Sequence, residues 1–328
     1  MKSLLIRLIA SWLLLMWSAG LVVAAESFPS KPITIVVPFA PGGATDAVAR
    51  IYADNMSKTF GQPVVVQNMT GAGGTVGSRY VMRAKPDGTT ILIGNLGTHV
   101  ASLGLFANPG YDPVTDFKAV SLIASIPMFV VAKKSLPVKN FREFVTYLKD
   151  HPGQLSYGTA GIGSTAHLTC LYLEKLVGSQ AQHVPYAGTG PALSALLGQH
   201  IDYVCDAAGA IVPQIQAGAV NGLVVTTRES LTALPDMPTS IEAGYPEFIV
   251  YGWIIIFAPK DTPNSVITIL GDALAKAAKD PEVRDKILAA GSELPRIQDL
   301  GPQAAAKLLN QEIERWIPLM KSAGIRPE

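Results

Sequence analysis

PITIVVPFAPGGATDAVARIYADNM, residues Pro32 to Met56, carries the decision about the fold. Its first part is an uninterrupted apolar run rich in β-branched residues, the pattern of a strand covered on both faces. Proline and glycine stop that run at PFAPGG. From Ala44 the pattern becomes helical and continues to Phe60, with Gly61 as its stop. A glycine-rich turn between a buried strand and a helix start suits an anion, because free N–H groups and the helix dipole point at the ligand. A phosphate loop would need G-x-x-x-x-G-K-[ST], and this turn has no lysine. The absence favours an anion of lower charge, such as a carboxylate, held by main chain and released again.

Strand-like and helix-like segments alternate outward from this stretch. PVVVQN (from Pro63) and TTILIGN (from Thr89) read as strands, with a helix between them from about Gly74 to Ala84. The β-α-β-α-β order implies parallel pairing with right-handed crossovers. The pattern restarts after Val120. Strand-like IPMFVVAKK, LSYGTAG, AQHVPYAG, IDYVCDA and GLVVTTRE are separated by helical segments. YGWIIIFAP is a further strand, and helices follow, the last from about Gln303 to Ser322. Passages near residues 120–130 and 245–255 would join two α/β lobes, and the cleft between them would lie at the carboxyl ends of the strands.

The first 25 residues read as an export signal. Lys2 and Arg7 precede an apolar run, and Val23 and Ala25 fit cleavage before Glu26. A retained anchor is the alternative, since a membrane span takes about 20 apolar residues. Cleavage would leave 24 Lys+Arg against 25 Asp+Glu, a charge that offers nothing to nucleic acid or an acidic membrane. With 48% hydrophobic and only 16% charged residues, the chain belongs with packed globular proteins rather than disordered ones. Export would permit a disulfide between Cys170 and Cys205. Their apolar settings, one in a helical stretch and one in a strand, instead predict two buried free thiols.

Four turns carry the candidate chemistry: PFAPGGATD, NMTGAGGTVG, GTAGIGSTAH and PYAGTGPA. Each sets glycine, serine or threonine just ahead of a helix, and Thr45, Ser164 and Thr189 add hydroxyl donors. Capping and turn formation alone would account for any one of them, but four in matching places predict a shared anion-binding cleft. The second turn is no dinucleotide fingerprint: Gly71, Gly73 and Gly77 give G-x-G-x-x-x-G, and no acid follows for a ribose. Ser164 and His167 share a helix face, which keeps a secreted hydrolase of carboxylate esters as an alternative, although no G-x-S-x-G elbow exists. The five histidines (His99, His151, His167, His183, His200) show no metal-ligand spacing. Neither a metal nor a cofactor is expected.

The chain resembles the Bug family of solute receptors that serve tripartite tricarboxylate transporters. The resemblance rests on PSKPITIVVPFAPGGATDAVAR, GQPVVVQNMTGAGGTVGSRYVMRAKPDGTTILIG, YDPVTDFKAVSLIA, LSYGTAGIGSTAHL, HVPYAGTGPALSALLGQHIDYVCDA, LPDMPTSIEAGYPEF and YGWIIIFAPKDTP, and covers most of residues 28–263. It implies an α/β, type II periplasmic binding-protein fold, with two lobes, a cleft and two crossover passages. Residues 26–125 and 250–328 would form one lobe and 126–249 the other. It also implies a periplasmic monomer that is not an enzyme. Such a receptor grips a small carboxylate, an aromatic acid or a dicarboxylate, and delivers it to a membrane permease. A sensor presenting its ligand to a signalling partner is the alternative.

Carried over by motif, the ligand-binding residues are Phe39, Ala40, Gly42, Gly43, Thr45 and Asp46 in the first turn, with Gly73 from the second. Thr159, Ala160, Gly161, Gly163, Ser164 and His167 would face them. Tyr186, Gly188, Thr189 and Asp206 would line the second lobe. Capping of its own helix is the other role open to Asp46. The chain departs from the family pattern at Gln67, Ala187 and Cys205. Ala187 stands where the family often has a cation, which argues against a highly charged ligand such as citrate.

Overall fold

In the computed structural model, which describes residues 28–327, the opening stretch forms β1 (Ile33–Val37) and α1 (Ala44–Phe60). Gly61 ends α1 in the left-handed region, at φ 63°, and its N–H bonds the Ser57 carbonyl. Val48, Ala49, Tyr52 and Met56 recur at helical spacing and are buried against the sheet. Next come β2 (Val64–Asn68), α2 (Thr75–Met82) and β3 (Thr90–Asn95). β1 lies between β2 and β3 and runs parallel to both, as the alternation requires.

The chain then departs from the sequence reading. Residues 97–106 form a wide turn, Gly97–Ala101, that runs into the short α3 (Ser102–Leu105). The strand expected from Ile126 starts earlier: β4 (Phe117–Ala132) has 16 residues. It pairs antiparallel with β9 (Tyr251–Pro259) from Phe117 to Pro127. From Met128 it pairs instead with β7 (Tyr203–Ala207), and from Phe129 also with β8 (Asn221–Val225) on its other edge. The remaining units are α4 (Phe141–Asp150), β5 (Ser156–Thr159), α5 (Thr165–Val177), β6 (Gln182–Pro185), α6 (Thr189–Leu197) and α7 (Ala208–Gln216). α8 (Asn264–Ala278), α9 (Pro281–Ala289) and α10 (Pro302–Ser322) close the chain.

The strand order is β2-β1-β3-β9-β4-β7-β5-β6, with β8 beside β4. Both wings are parallel, and the centre is antiparallel because β9 is the chain returning past β4. Isoleucines and valines of β1, β3 and β9 pack against α1, α8 and α9 on one face. α10 covers part of the other face with Trp316, Leu319 and Met320. The indole N–H groups of Trp253 and Trp316 both donate to Glu312 Oε2, at 3.0 and 2.9 Å, so this buried carboxylate is satisfied.

One expectation is corrected. Cys170 and Cys205 are not free thiols but a disulfide, with Cα atoms 5.7 Å apart. α5 packs directly on β7, and the apolar surroundings that suggested two sheltered thiols are the interface that brings them together. The N-terminal segment read as an export signal, residues 1–25, lies outside the described residues.

Candidate functional site

At the carboxyl end of β1, Ala40 to Gly43 are exposed and Gly42 takes φ 84°. The N-cap of α1 is Gly43, which has no side chain to satisfy the helix start. Among the described residues, the N–H groups of Gly43, Ala44 and Thr45 have no hydrogen-bond partner. A Cβ placed on Gly43 would meet only the Ala40 carbonyl, at 3.9 Å.

The turn is held from beneath by Asp46, which is 4% exposed. It accepts the Gly42 N–H at 2.9 Å, two bonds from Arg50 at 3.0 Å, and one from Asn68 Nδ2 at 2.9 Å. Asn68 Nδ2 also donates to the Phe39 carbonyl, at 3.0 Å. Burial pushes the Asp46 carboxyl up, but the Arg50, Gly42 and Asn68 hydrogen bonds and the Arg50 charge outweigh it and leave the value below the ordinary one. With both oxygens engaged, Asp46 shapes the turn from beneath through Gly42, the residue before the N-cap, and leaves the N–H groups of Gly43 to Thr45 open.

At the end of β5, Gly161 and Gly163 take φ 116° and 76°. Buried Thr159 accepts the Gly161 N–H at 3.2 Å, and its hydroxyl pairs with His183 Nε2 at 2.7 Å. Ser164 caps α5: its Oγ accepts the His167 N–H at 3.2 Å and donates to the Gly161 carbonyl at 2.7 Å. The His167 ring accepts the Gly163 N–H at Nδ1, 3.1 Å, and stacks on His183 with centroids 4.1 Å apart. Burial, then His183, lowers the His167 imidazole to about 3, and burial lowers His183 as well. The ring is therefore neutral near pH 7. Ser164 and His167 are bonded to main chain rather than to each other, so no nucleophile–base pair forms.

The next turn adjoins this one. The Tyr186 N–H donates to the Thr159 carbonyl at 3.0 Å, and a Cβ on Gly161 would lie 3.4 Å from the Tyr186 carbonyl. Gly188 caps α6 without a side chain, and a Cβ on Gly188 or Gly190 would meet open space. The Thr189 hydroxyl donates to Asp206 Oδ1 at 3.2 Å, as does the Ala207 N–H at 2.7 Å. Burial raises the Asp206 carboxyl to about 6, against those two bonds.

Residues 97–106, passed over in the sequence, lie between the two sets of turns. A Cβ on Gly74 would run close to Thr98, Pro38 and Phe39, and one on Gly73 would lie 3.7 Å from the Phe106 ring. On the other side, a Cβ on Gly163 would collide with Leu105 and lie 3.4 Å from Ala101. The structure thus joins the first turn, Gly73 and the GTAGIGSTAH turn through this segment. No hydrogen bond among the described residues links PFAPGGATD to GTAGIGSTAH directly. Leu96, Val100 and Leu103, at i, i+4 and i+7, were the available signal for the missed element.

Comparison with known proteins agrees with this architecture. The family model described as tripartite tricarboxylate transporter family receptor matches residues 48–325. The periplasmic binding protein BugD is similar, at 37% identity and TM-score 0.78, covering 92% of this chain and 100% of that one. MatC from Rhodopseudomonas palustris, solved with bound malate, is 40% identical with TM-score 0.77, over 89% of this chain and 99% of that one. A second R. palustris protein, solved with adipate, gives 34% identity and TM-score 0.81, over 92% and 100%.

Proposed function

The chain belongs to the tripartite tricarboxylate transporter receptor family, and from that premise we propose that it captures a small dicarboxylate for a membrane permease of that transporter type. As a family member it is a periplasmic solute-binding protein of the Bug type and not an enzyme. The observation that carries the ligand class is the pair of uncapped glycine helix starts, at α1 and α6, with open N–H groups and no cation of their own. Such starts suit a carboxylate. The ligand-bound relatives, with malate and adipate, favour an aliphatic dicarboxylate over an aromatic acid.

One carboxylate sits on the turn Phe39–Thr45, shaped by Asp46 and flanked by Gly73. The facing turn, Thr159 to Ser164 with His167 behind it, closes over the ligand. Tyr186, Gly188, Thr189 and Asp206 line the far side. Residues 26–125 with 250–328 move as one lobe and 126–249 as the other, and cleavage near Ala25 releases the mature receptor.

A thermal-shift panel of malate, adipate, citrate, benzoate, sugars and metal cations tests the reading. Malate or adipate should stabilise the protein most. Stabilisation by sugars or cations with none by any carboxylate would refute it. Gly43→Leu should keep the fold, because φ −80° and ψ 168° suit any residue and the space beyond is open. It should also weaken binding at least about a hundredfold, by blocking the N–H groups and leaving the ligand's charge unpaired. Calorimetry on the variant provides that readout.

A further inference from the structure

Outside the cleft, a groove of about 510 Å³ runs along the outer side of α2. It extends from Val76 and Met69, near the glycine turns, to Lys85 beyond the helix end, and reaches Lys31 and Thr89 at the opposite ends of β1 and β3. Val76, Tyr80 and Arg83 follow one another at i, i+4 and i+7 and so share a helix face. Val76 and Tyr80 are 37% and 46% exposed, and Val65 on the neighbouring edge strand β2 is 48% exposed. Apolar side chains are thus gathered where the sheet edge is uncovered.

Cations surround them. Lys31 is paired with Asp87 at 2.9 Å, and Arg79 donates to the Pro109 carbonyl at 2.9 Å. Arg83 and Lys85 are exposed and, among the described residues, make no ion pair or side-chain hydrogen bond. The whole chain carries a formal charge of only +1, so this is a local concentration and not a basic protein. Tyrosine and arginine are residue types enriched at protein interfaces, and an apolar floor with a polar, charged rim is their usual arrangement.

We propose that this groove docks an acidic segment of the membrane transporter that the receptor serves. The segment's carboxylates meet Arg83 and Lys85, and an aliphatic or aromatic side chain covers Val76 and Tyr80. The inference rests on the receptor reading for the existence of a membrane partner. It leaves the glycine turns free to hold the solute while the receptor is docked. Cations beside an edge strand also discourage sheet-to-sheet pairing, a role that requires no partner.

The test places the photo-cross-linker p-benzoylphenylalanine at Tyr80 of the full chain, expressed in its own host, with the same group at exposed Ile269 as control. Irradiation should give an adduct at position 80, and not at 269, with a membrane subunit of a tripartite tricarboxylate transporter, mapped to a peptide rich in Asp and Glu. Arg83→Glu with Lys85→Glu should cut its yield about tenfold, and raised salt should cut it too. No adduct, an adduct with a second copy of this chain, or a yield indifferent to charge reversal would overturn the proposal. So would calorimetric binding of inorganic phosphate or citrate that is lost in the double variant, which would make the groove a small-anion site. Carboxylate-induced thermal shifts should be equal in the double variant and the wild type. If neither shows a shift, the receptor reading fails; if both do and the adduct is missing, docking alone fails.

Discussion

Two aspartates respond oppositely to their surroundings. Asp46 is buried but bonded to Gly42, Arg50 and Asn68, and its carboxyl lies below the ordinary value. Arg50 makes the largest lowering contribution, ahead of Gly42 and Asn68, but its side chain is 53% exposed, so water screens that pair and reduces what it adds to stability. Asp46→Ala strands these donors and should cost about 2–3 kcal/mol, read by urea denaturation. A depressed carboxylate stabilises fully above its unfolded pKa, about 3.9, and loses this as pH falls through the folded value. The gap between wild type and variant should therefore be constant at neutral pH and shrink below about pH 4. Asp206 has the reverse sign. Burial raises it to about 6, so the folded state holds its proton more tightly than the unfolded one. Its contribution to stability falls as pH rises from about 4 to about 6. Asp206→Asn keeps acceptors for Thr189 and Ala207 without the charge, and should be more stable than wild type above pH 6 by about 1–3 kcal/mol, with the difference vanishing near pH 4. A melting series across that range tests the sign.

At the scale of elements, the disulfide ties α5, which carries the Ser164 cap, to β7, which carries Asp206. The bonded residues are 35 apart in sequence. Replacing both, Cys170→Ala with Cys205→Ala, should cost about 2–4 kcal/mol in denaturant unfolding and leave carboxylate affinity within about threefold, because both sulfurs are buried in the core between α5 and β7. A large affinity loss would mean that the bond itself sets the turn geometry. Sequence could not reveal this bond, since it depends on which strand α5 lies across. Other elements sort by the same logic. β1 and α1 were legible because PITIVV and its glycine stop contrast sharply with the helix that follows. The first half of β4 was hidden by Lys118, Ser121 and Ser125, polar residues at interior positions of a mostly buried strand. Residues 97–106 were hidden because Gly97 and Gly104 interrupt an otherwise helical spacing; Gly104 is there because a side chain would collide with Met320 of α10. The turns themselves were legible as strand-to-helix connections, since glycine, serine and threonine stand just before each helix. Their support was not: Asn68 at the end of β2 reaches Asp46 in the first turn of α1, 22 residues earlier, a contact that no local spacing encodes.

For the whole molecule, the proposed lobe movement has a route in the sheet. β4 changes partners between Pro127 and Met128, and the chain returns at Tyr251, so the two halves of the sheet meet where β4 and β9 run together. Proline at the changeover donates no ladder bond, which weakens pairing there. α10 lies near the same place: Arg315 donates to the Ile249 carbonyl at 2.7 Å and its guanidinium sits 4.5 Å from the Tyr172 ring centre on α5. In the proposed closure it would serve as the pivot. On the proposed reading, a ligand that bridges the turns binds the closed arrangement and not the open or unfolded chain. At a concentration a hundredfold above Kd it should therefore stabilise the fold by about 2.7 kcal/mol. The same addition should reduce the radius of gyration in small-angle scattering, and Gly43→Leu should abolish both changes together. Saturable heat of binding without compaction would keep the carboxylate site and remove the hinge. Compaction that survives in Gly43→Leu would place the closing contact away from the first turn, on the α6 side, where Gly188 offers the other uncapped helix start.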